Sequence, residues 1–265
     1  MDTDPSASSR ISLLRSARQW WNDIAGREGS LAATRQLLSA LGEFVRDSTP
    51  ERRRQRYGDA EYDWEHRVNT TSAAVGWRDR LLGLFYSPYQ PTESNLFHEM
   101  LDALHQQTHC DFHAFLFVDL GSGKGRTLLM ASDYPFRRIV GVELLPALHQ
   151  AAQDNLSKYR GESQKCFTLE SICGDATQFI FPTEPTVLYL FNPFPEAGLR
   201  RMIANLEQSL RAHPRAVYVL YHNPLLEDVF SESAALSRVG GTHQYSIYGS
   251  VDPDQKNRGS SLLHS

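Results

Sequence analysis

The stretch F-L-F-V-D-L-G-S-G-K-G, Phe115 to Gly125, decides how the rest of the chain is read. An apolar run ends in an acid, Asp119, and three glycines follow at alternate positions. A run of this length bounded by glycine predicts a buried parallel strand. Gly121, Gly123 and Gly125 predict a turn free of Cβ atoms, open to close approach by a ligand. Arg126 to Ser132 predicts a helix. Strand, turn and helix together form the nucleotide-side corner of a doubly wound α/β fold.

Two phosphate-binding patterns fit this corner poorly. A Walker A loop requires four residues between its first glycine and Gly-Lys-Ser/Thr. Here Gly125 follows Gly123-Lys124, and the first glycine would fall at Val118. The dinucleotide fingerprint requires glycine or alanine at the position of Arg126.

Further strands follow in order. Arg138 to Val142 is a second apolar strand, ending in Glu143 about 20 residues beyond the glycines, where an acid can accept hydrogen bonds from ribose hydroxyls. Pro146 to Tyr159 has helical spacing with proline in its first turn. Phe167 to Cys173 predicts a third strand, leading into Gly174-Asp175-Ala176. Thr186 to Phe191 is a fourth strand, closed by Asn192-Pro193-Phe194-Pro195, and Arg215 to Tyr221 is a fifth. One more helix, a strand near Leu236 to Val239 and an alternating strand from His243 to Tyr248 complete the pattern.

The D-x-G-x-G-x-G pattern led by Asp119 resembles the first motif of the class I S-adenosylmethionine (SAM) methyltransferases. The five β-α units and terminal strand pair resemble that family's seven-stranded, mostly parallel sheet. Asp119 to Arg126, Tyr134 to Glu143 and Asn192 to Phe194 are most similar to bacterial members of unassigned substrate. Asp63, Val68 and Thr70 fit a D-x(4)-V-x-T segment that such proteins carry before the sheet. The resemblance implies a SAM-dependent methyltransferase whose cofactor meets Asp119, Gly121, Ser122, Gly123, Gly125, Glu143 and Asn192. It also implies that Asp175 takes the adenine amino group and that the Ala176 N–H meets the ring. Tyr89 and Thr92 belong to a stretch resembling one that runs across the bound cofactor. Each acid also has a plainer reading, Asp119 as a helix cap, Glu143 as a loop acid and Asp175 as a turn residue.

Asn192 and Phe194 are the acceptor-side candidates. Many amino-group methyltransferases have Asn/Asp-Pro-Pro-aromatic after the fourth strand, where the amide oxygen orients the amine and the ring face tolerates positive charge. This chain has the aromatic third and the second proline fourth. His222, ending the fifth strand, is a candidate proton acceptor. The expected acceptor is a nitrogen on a small molecule. A protein lysine methyltransferase is the alternative, because the helical preface is similar to that of the seven-stranded histone lysine enzymes. A SAM-binding scaffold without turnover is a further one.

The 265 residues suit one large domain or a core with an appendage. We expect a helical extension over 1–110, a SAM-binding core over 111–250 and a polar tail over 251–265. A net charge of -4 argues against nucleic acid as partner. The basic cluster Arg52 to Arg54 with Arg56 is flanked by acids and reads as a solvated helix face. Cys110, Cys166 and Cys173 lack C-x-x-C spacing, which suits reduced thiols in a cytoplasmic protein. No apolar stretch approaches membrane-spanning length. His105, His109 and His113 have a spacing that one helix face would gather around zinc, but a helix ending near Thr108 would separate them, and no metal is expected.

Overall fold

A computed structural model describes residues 29–47, 60–70 and 91–250, with a few positions between 18 and 26. Two compact units emerge. Residues 1–58 and 73–89 make one, residues 59–72 and 90–265 the other. In the first unit, helix α1 (Ser30–Asp47) buries Ala33, whereas Leu31 and Leu38 are exposed. Nothing among the described residues covers them.

The second unit contains α2 (Ala60–His66), α3 (Ser94–Thr108), β1 (Leu116–Leu120), α4 (Arg126–Ala131), β2 (Arg138–Glu143), α5 (Pro146–Lys158) and β3 (Leu169–Cys173). It continues with β4 (Thr186–Phe191), α6 (Glu196–Ala212), β5 (Val217–His222), α7 (Glu227–Ser231), β6 (Leu236–Gly241) and β7 (Tyr245–Ser250). The seven strands form one sheet in the order β3-β2-β1-β4-β5-β7-β6. β1 to β5 pair in parallel, and β7 runs antiparallel to both its neighbours. The β1–β2, β2–β3 and β4–β5 connections carry helices or turns that return each strand to the same edge, so all five parallel strands end together.

Strand periodicity divides the core in two. Phe117, Ile139, Val187, Tyr189 and Leu220 face a layer that includes Phe97, Met100, Leu101 and Leu104 of α3. Val118, Val140, Leu188 and Leu190 face Leu199, Met202, Ile203 and Leu206 of α6. Both sheet faces are covered, which is why β1 and β4 read as unbroken apolar runs.

The differences from sequence expectation lie at element ends. β3 begins at Leu169, leaving Phe167 exposed before it. β5 starts at Val217 and extends to His222, which pairs with Phe191 and Tyr245. The last strand starts at Tyr245, because Thr242 donates to the Tyr245 carbonyl (2.8 Å) and keeps His243 in the turn. α3 reaches Thr108, where His109 enters the left-handed region (φ 53°) and its N–H caps the His105 carbonyl.

Residues 59–72 belong to the core unit, and one side chain does much of the joining. Asn155 of α5 is buried, and its Nδ2 donates to the carbonyls of Asn69 and Lys124 (3.0 Å each). Its Oδ1 accepts the Asn69 N–H at 2.9 Å. Asn155→Ala would leave three backbone groups short of a partner, so stability should fall by about 2–3 kcal/mol. The corresponding drop in melting temperature, read by calorimetry, should be about 5–10 °C.

Candidate active site

The glycine turn is fixed from three sides. Gly121 and Ser122 donate their N–H groups to the Val142 carbonyl (2.8 and 3.1 Å), tying the turn to the end of β2. Gly121, Gly123 and Gly125 all have positive φ, at 95°, 54° and 81°. A Cβ at Gly121 would stand 2.7 Å from Pro193 Cβ, so the Asn-Pro segment after β4 lies directly against the turn. Ser122, expected at the cofactor, is buried, with its hydroxyl among the buried groups that lack a protein partner.

Glu143, the acid at the end of β2, is buried and accepts two backbone N–H groups. Gly123 donates to Oε2 and Leu145 to Oε1, each at 2.8 Å. Asp119, the acid of β1, is buried and accepts the Thr127 hydroxyl. Burial pushes its carboxyl up to about 7; the Thr127 hydrogen bond opposes this and the Glu143 charge adds to it. Asp175 caps the turn Ala176–Gln178: Oδ1 accepts the Thr177 N–H and hydroxyl, and Oδ2 accepts from Gln178. Burial raises its carboxyl, but those hydrogen bonds and the Arg201 charge outweigh it and leave it below the usual range. Ala176 is buried beside it.

On the other edge of the turn, Asn192 has positive φ (44°) and its side chain is held at both ends. Tyr221 donates its hydroxyl to Oδ1 (2.7 Å), and Nδ2 donates to the Asn223 carbonyl (2.5 Å). Asn223 also has positive φ (49°) and, like Asn192, precedes a proline. Left-handed backbone is unusual for residues other than glycine, and proline further restricts the residue before it. Two strained Asn-Pro corners therefore sit side by side where β4 and β5 end. Phe194 is half-buried, with its Cβ against Gly198. His222 is only 7% exposed; its Nδ1 meets the Tyr189 hydroxyl at 2.8 Å, and the Phe191 ring stacks on it at 3.9 Å. Burial lowers its imidazole to about 4.

Thr92 is buried and shares a hydrogen bond with the Tyr189 hydroxyl (2.8 Å), so its hydroxyl is engaged within the core. Tyr89 lies outside the described residues. His105 bonds the Cys110 carbonyl, His109 caps α3 and His113 lies on the turn Phe112–Ala114, so the three diverge. Among the described residues no group of three or more His, Cys, Asp or Glu side chains is arranged to hold a metal ion.

Sequence reasoning passed over several residues that build this site. Arg126 was given no binding or bracing role there. In the structure it is buried, donates to the Thr70 hydroxyl (3.1 Å), approaches Asp63 at 3.9 Å and lies 4.1 Å over the Tyr62 ring. Lys124 is also buried and donates to Asn69 Oδ1 (3.1 Å); burial lowers its ammonium, with Asp63 opposing. Two cations inside a predicted buried corner were the available signal, because they require acidic or amide partners elsewhere in the chain. The D-x(4)-V-x-T segment supplies them.

Five parallel strands, a terminal antiparallel strand inserted between β5 and β6, a glycine turn after β1 and an acid ending β2 now stand together. This is the class I methyltransferase fold. No protein-family model matches the chain, and neither does any curated protein sequence. Among solved structures, it is similar to an RNA methyltransferase from Salinibacter ruber in complex with S-adenosyl-L-homocysteine. The identity is 21%, over 60% of this chain and 91% of that one, with a TM-score of 0.41. TrmN from Thermus thermophilus is similar at 14% identity, over 60% of this chain and 49% of that one, with a TM-score of 0.41. Likenesses this distant say nothing of the acceptor, and the strand order alone places the chain among class I methyltransferase folds.

Two outcomes follow from the geometry. Gly121→Ala adds a Cβ at φ 95° in contact with Pro193, so it should displace the Asn-Pro corner. Thermal unfolding should come several degrees earlier, whereas Gly26→Ala, with open space around it, should leave the melting point within about 2 °C. The second concerns pH. Because the folded state holds the Asp119 proton up to about 7, this group's contribution is full below the unfolded value and is lost as pH rises through about 7. Asp119→Asn should therefore gain stability over the native chain by about 2–4 kcal/mol between pH 4 and pH 8, measured by urea unfolding. His222 works in the opposite direction, its contribution disappearing as pH falls toward about 4, and it cancels from that comparison.

Proposed function

We propose that the chain is a SAM-dependent methyltransferase acting on a nitrogen of a small molecule. The observation that carries the reading is the joint of Glu143 with the glycine turn. A buried carboxylate at the end of β2 accepts the Gly123 N–H, so acid and turn form one rigid unit. The two backbone bonds fix the direction of the carboxylate, and a fixed carboxylate acceptor suits a vicinal diol such as ribose. The three glycines keep the turn's surface free of side chains, and Asp119, Asp175 and Ala176 border the same strand ends. These residues fit SAM, with Glu143 on the ribose and Asp175 and Ala176 on the adenine side. When bound there, SAM supplies an electrophilic methyl group on a sulfonium centre.

The chain's own residues have a positioning task. Methyl transfer is an in-line displacement, and holding nucleophile and carbon about 3–3.5 Å apart supplies much of the acceleration. Asn192 is suited to orient the nitrogen. Its amide is clamped by Tyr221 and by the Asn223 carbonyl, and a fixed amide presents its oxygen in one direction. The Phe194 ring offers a face that tolerates developing positive charge. The negative net charge supports a small molecule over a polyanion.

Calorimetry should detect SAM and S-adenosylhomocysteine binding and no comparable binding of NAD or ATP. Glu143→Ala should weaken SAM at least about tenfold. Nucleotide binding without SAM binding would overturn the assignment. Tritiated-methyl SAM offered to lysate fractions of small molecules, protein and RNA should label the small-molecule fraction. Labelling confined to protein or RNA would move the acceptor and leave the cofactor assignment intact. Asn192→Ala should slow labelling about 30- to 1,000-fold with SAM affinity little changed.

A further inference from the structure

Beneath the strand ends, one hydroxyl is shared by two partners. Tyr189 of β4 is 1% exposed, and its oxygen lies 2.8 Å from Thr92 Oγ1 and 2.8 Å from His222 Nδ1. Each hydroxyl has a single proton, so the direction of the chain fixes which imidazole nitrogen is protonated. If His222 donated from Nδ1, either Tyr189 would donate to Thr92 and the Thr92 proton would need another acceptor, or Tyr189 would accept from both and its own proton would go unused. Thr92 is 3% exposed, and among the described residues Tyr189 is the partner of its hydroxyl. Buried hydroxyl protons are nearly always used. Thr92 therefore donates to Tyr189, and Tyr189 donates to His222 Nδ1. A neutral ring with Nδ1 accepting has its proton on Nε2.

Two further features hold the ring in that state. Phe191, the β4 partner of His222 in the sheet, stacks on the ring with an interplanar angle of 20° and fixes its plane. Burial is the cause that keeps the imidazole neutral at pH 7. The Nδ1 lone pair points inward to Tyr189, and Nε2, which has no hydrogen-bond partner among the described residues, carries the only ring proton. Such a ring donates a hydrogen bond and does not remove a proton.

We propose that His222 is a specificity-determining hydrogen-bond donor, set in its Nε2–H form by the Tyr189 hydroxyl. It recognises an accepting atom, a carbonyl oxygen or an imine-type nitrogen, beside the nitrogen to be methylated. The identity of the recognised molecule rests on the methyltransferase reading; the protonation of the ring does not. Tyr189 is the positioning residue, acting through His222.

The test is a long-range 1H–15N spectrum of the full chain labelled at histidine, at pH 7, with and without S-adenosylhomocysteine. Comparison with His222→Gln assigns the ring. The expected result is a neutral ring protonated at Nε2, unchanged in Thr92→Val, where Tyr189 still donates to Nδ1. In Tyr189→Phe the preference should weaken, and the Nδ1 resonance should move toward the average of the two tautomers. A native ring protonated at Nδ1, or charged, overturns the proposal; so does a Tyr189→Phe spectrum identical to the native one. Should Tyr189→Phe fail to fold, the native and Thr92→Val spectra decide. Labelling of the small-molecule fraction by tritiated-methyl SAM gives a second readout. His222→Gln, which retains an N–H donor, should lose about fivefold less activity than His222→Phe, and equal losses would remove the donor role. Failure of the methyltransferase reading would instead show as absence of SAM binding in calorimetry, with the ring tautomer unaffected.

Discussion

The hydrogen bond from the Gly123 N–H to the Glu143 carboxylate is the constraint on which the rest of the site depends. One carboxylate joins the turn after β1 to the turn after β2, because its second oxygen takes the Leu145 N–H at the start of α5. Both backbone donors would otherwise be buried without a partner, a loss comparable to that of a whole hydrogen bond each. The corner is then braced from outside. Arg126 and Lys124 reach to Thr70, Asp63 and Asn69, and Asn155 bridges Asn69 to the Lys124 carbonyl. A glycine-rich turn has much conformational freedom to lose on folding, and these fixed neighbours hold the ordered form.

A single face of the sheet changes character along its strands. β2 runs Ile139, Gly141, Glu143; β1 runs Phe117, Asp119; β4 runs Val187, Tyr189; β5 runs Leu220, His222. The apolar ends pack under α3, and the polar ends meet at the common carboxyl edge. Each polar side chain has a named partner, whether a backbone N–H, Thr127, Thr92 or Tyr189. Satisfied polar networks of this kind define one arrangement, because any rearrangement leaves a buried group unpaired. The edge of the candidate site is therefore built by residues at or near the ends of successive strands, and the loops beyond add Asn192 and Asn223.

The parallel core was legible because period and punctuation agreed: apolar runs, then glycine, acid or Asn-Pro at each strand end. Glu143 and Asp119 were legible for the same reason, since an acid closing a buried strand conflicts with its surroundings. The roles of Arg126 and Lys124 were hidden, because their partners lie over fifty residues earlier and no local pattern links the two segments. Tyr189 was hidden inside T-V-L-Y-L-F, where an aromatic in a strand needs no further explanation. The edges of β3, β5 and β7 shifted by about two residues, because turn hydrogen bonds such as Thr242 to Tyr245 set them and composition does not.

The position of β7 bears on how the chain is made. It is the last strand among the described residues, yet it lies inside the sheet, paired on one side to β5 and on the other to β6. Tyr245 and Ile247 complete the layer beneath α3, and Tyr248 completes the opposite one. During synthesis, β1 to β5 can assemble as they emerge, but β6 has no neighbour to join until residues 245–250 are free. Until then β5 stands as an open edge with its apolar flanks uncovered, the state in which a nascent chain most readily pairs with the wrong strand. The final third of the sheet thus closes like a drawn seam, and a ribosome stalled shortly before Tyr245 would leave most of the sheet with an unprotected border.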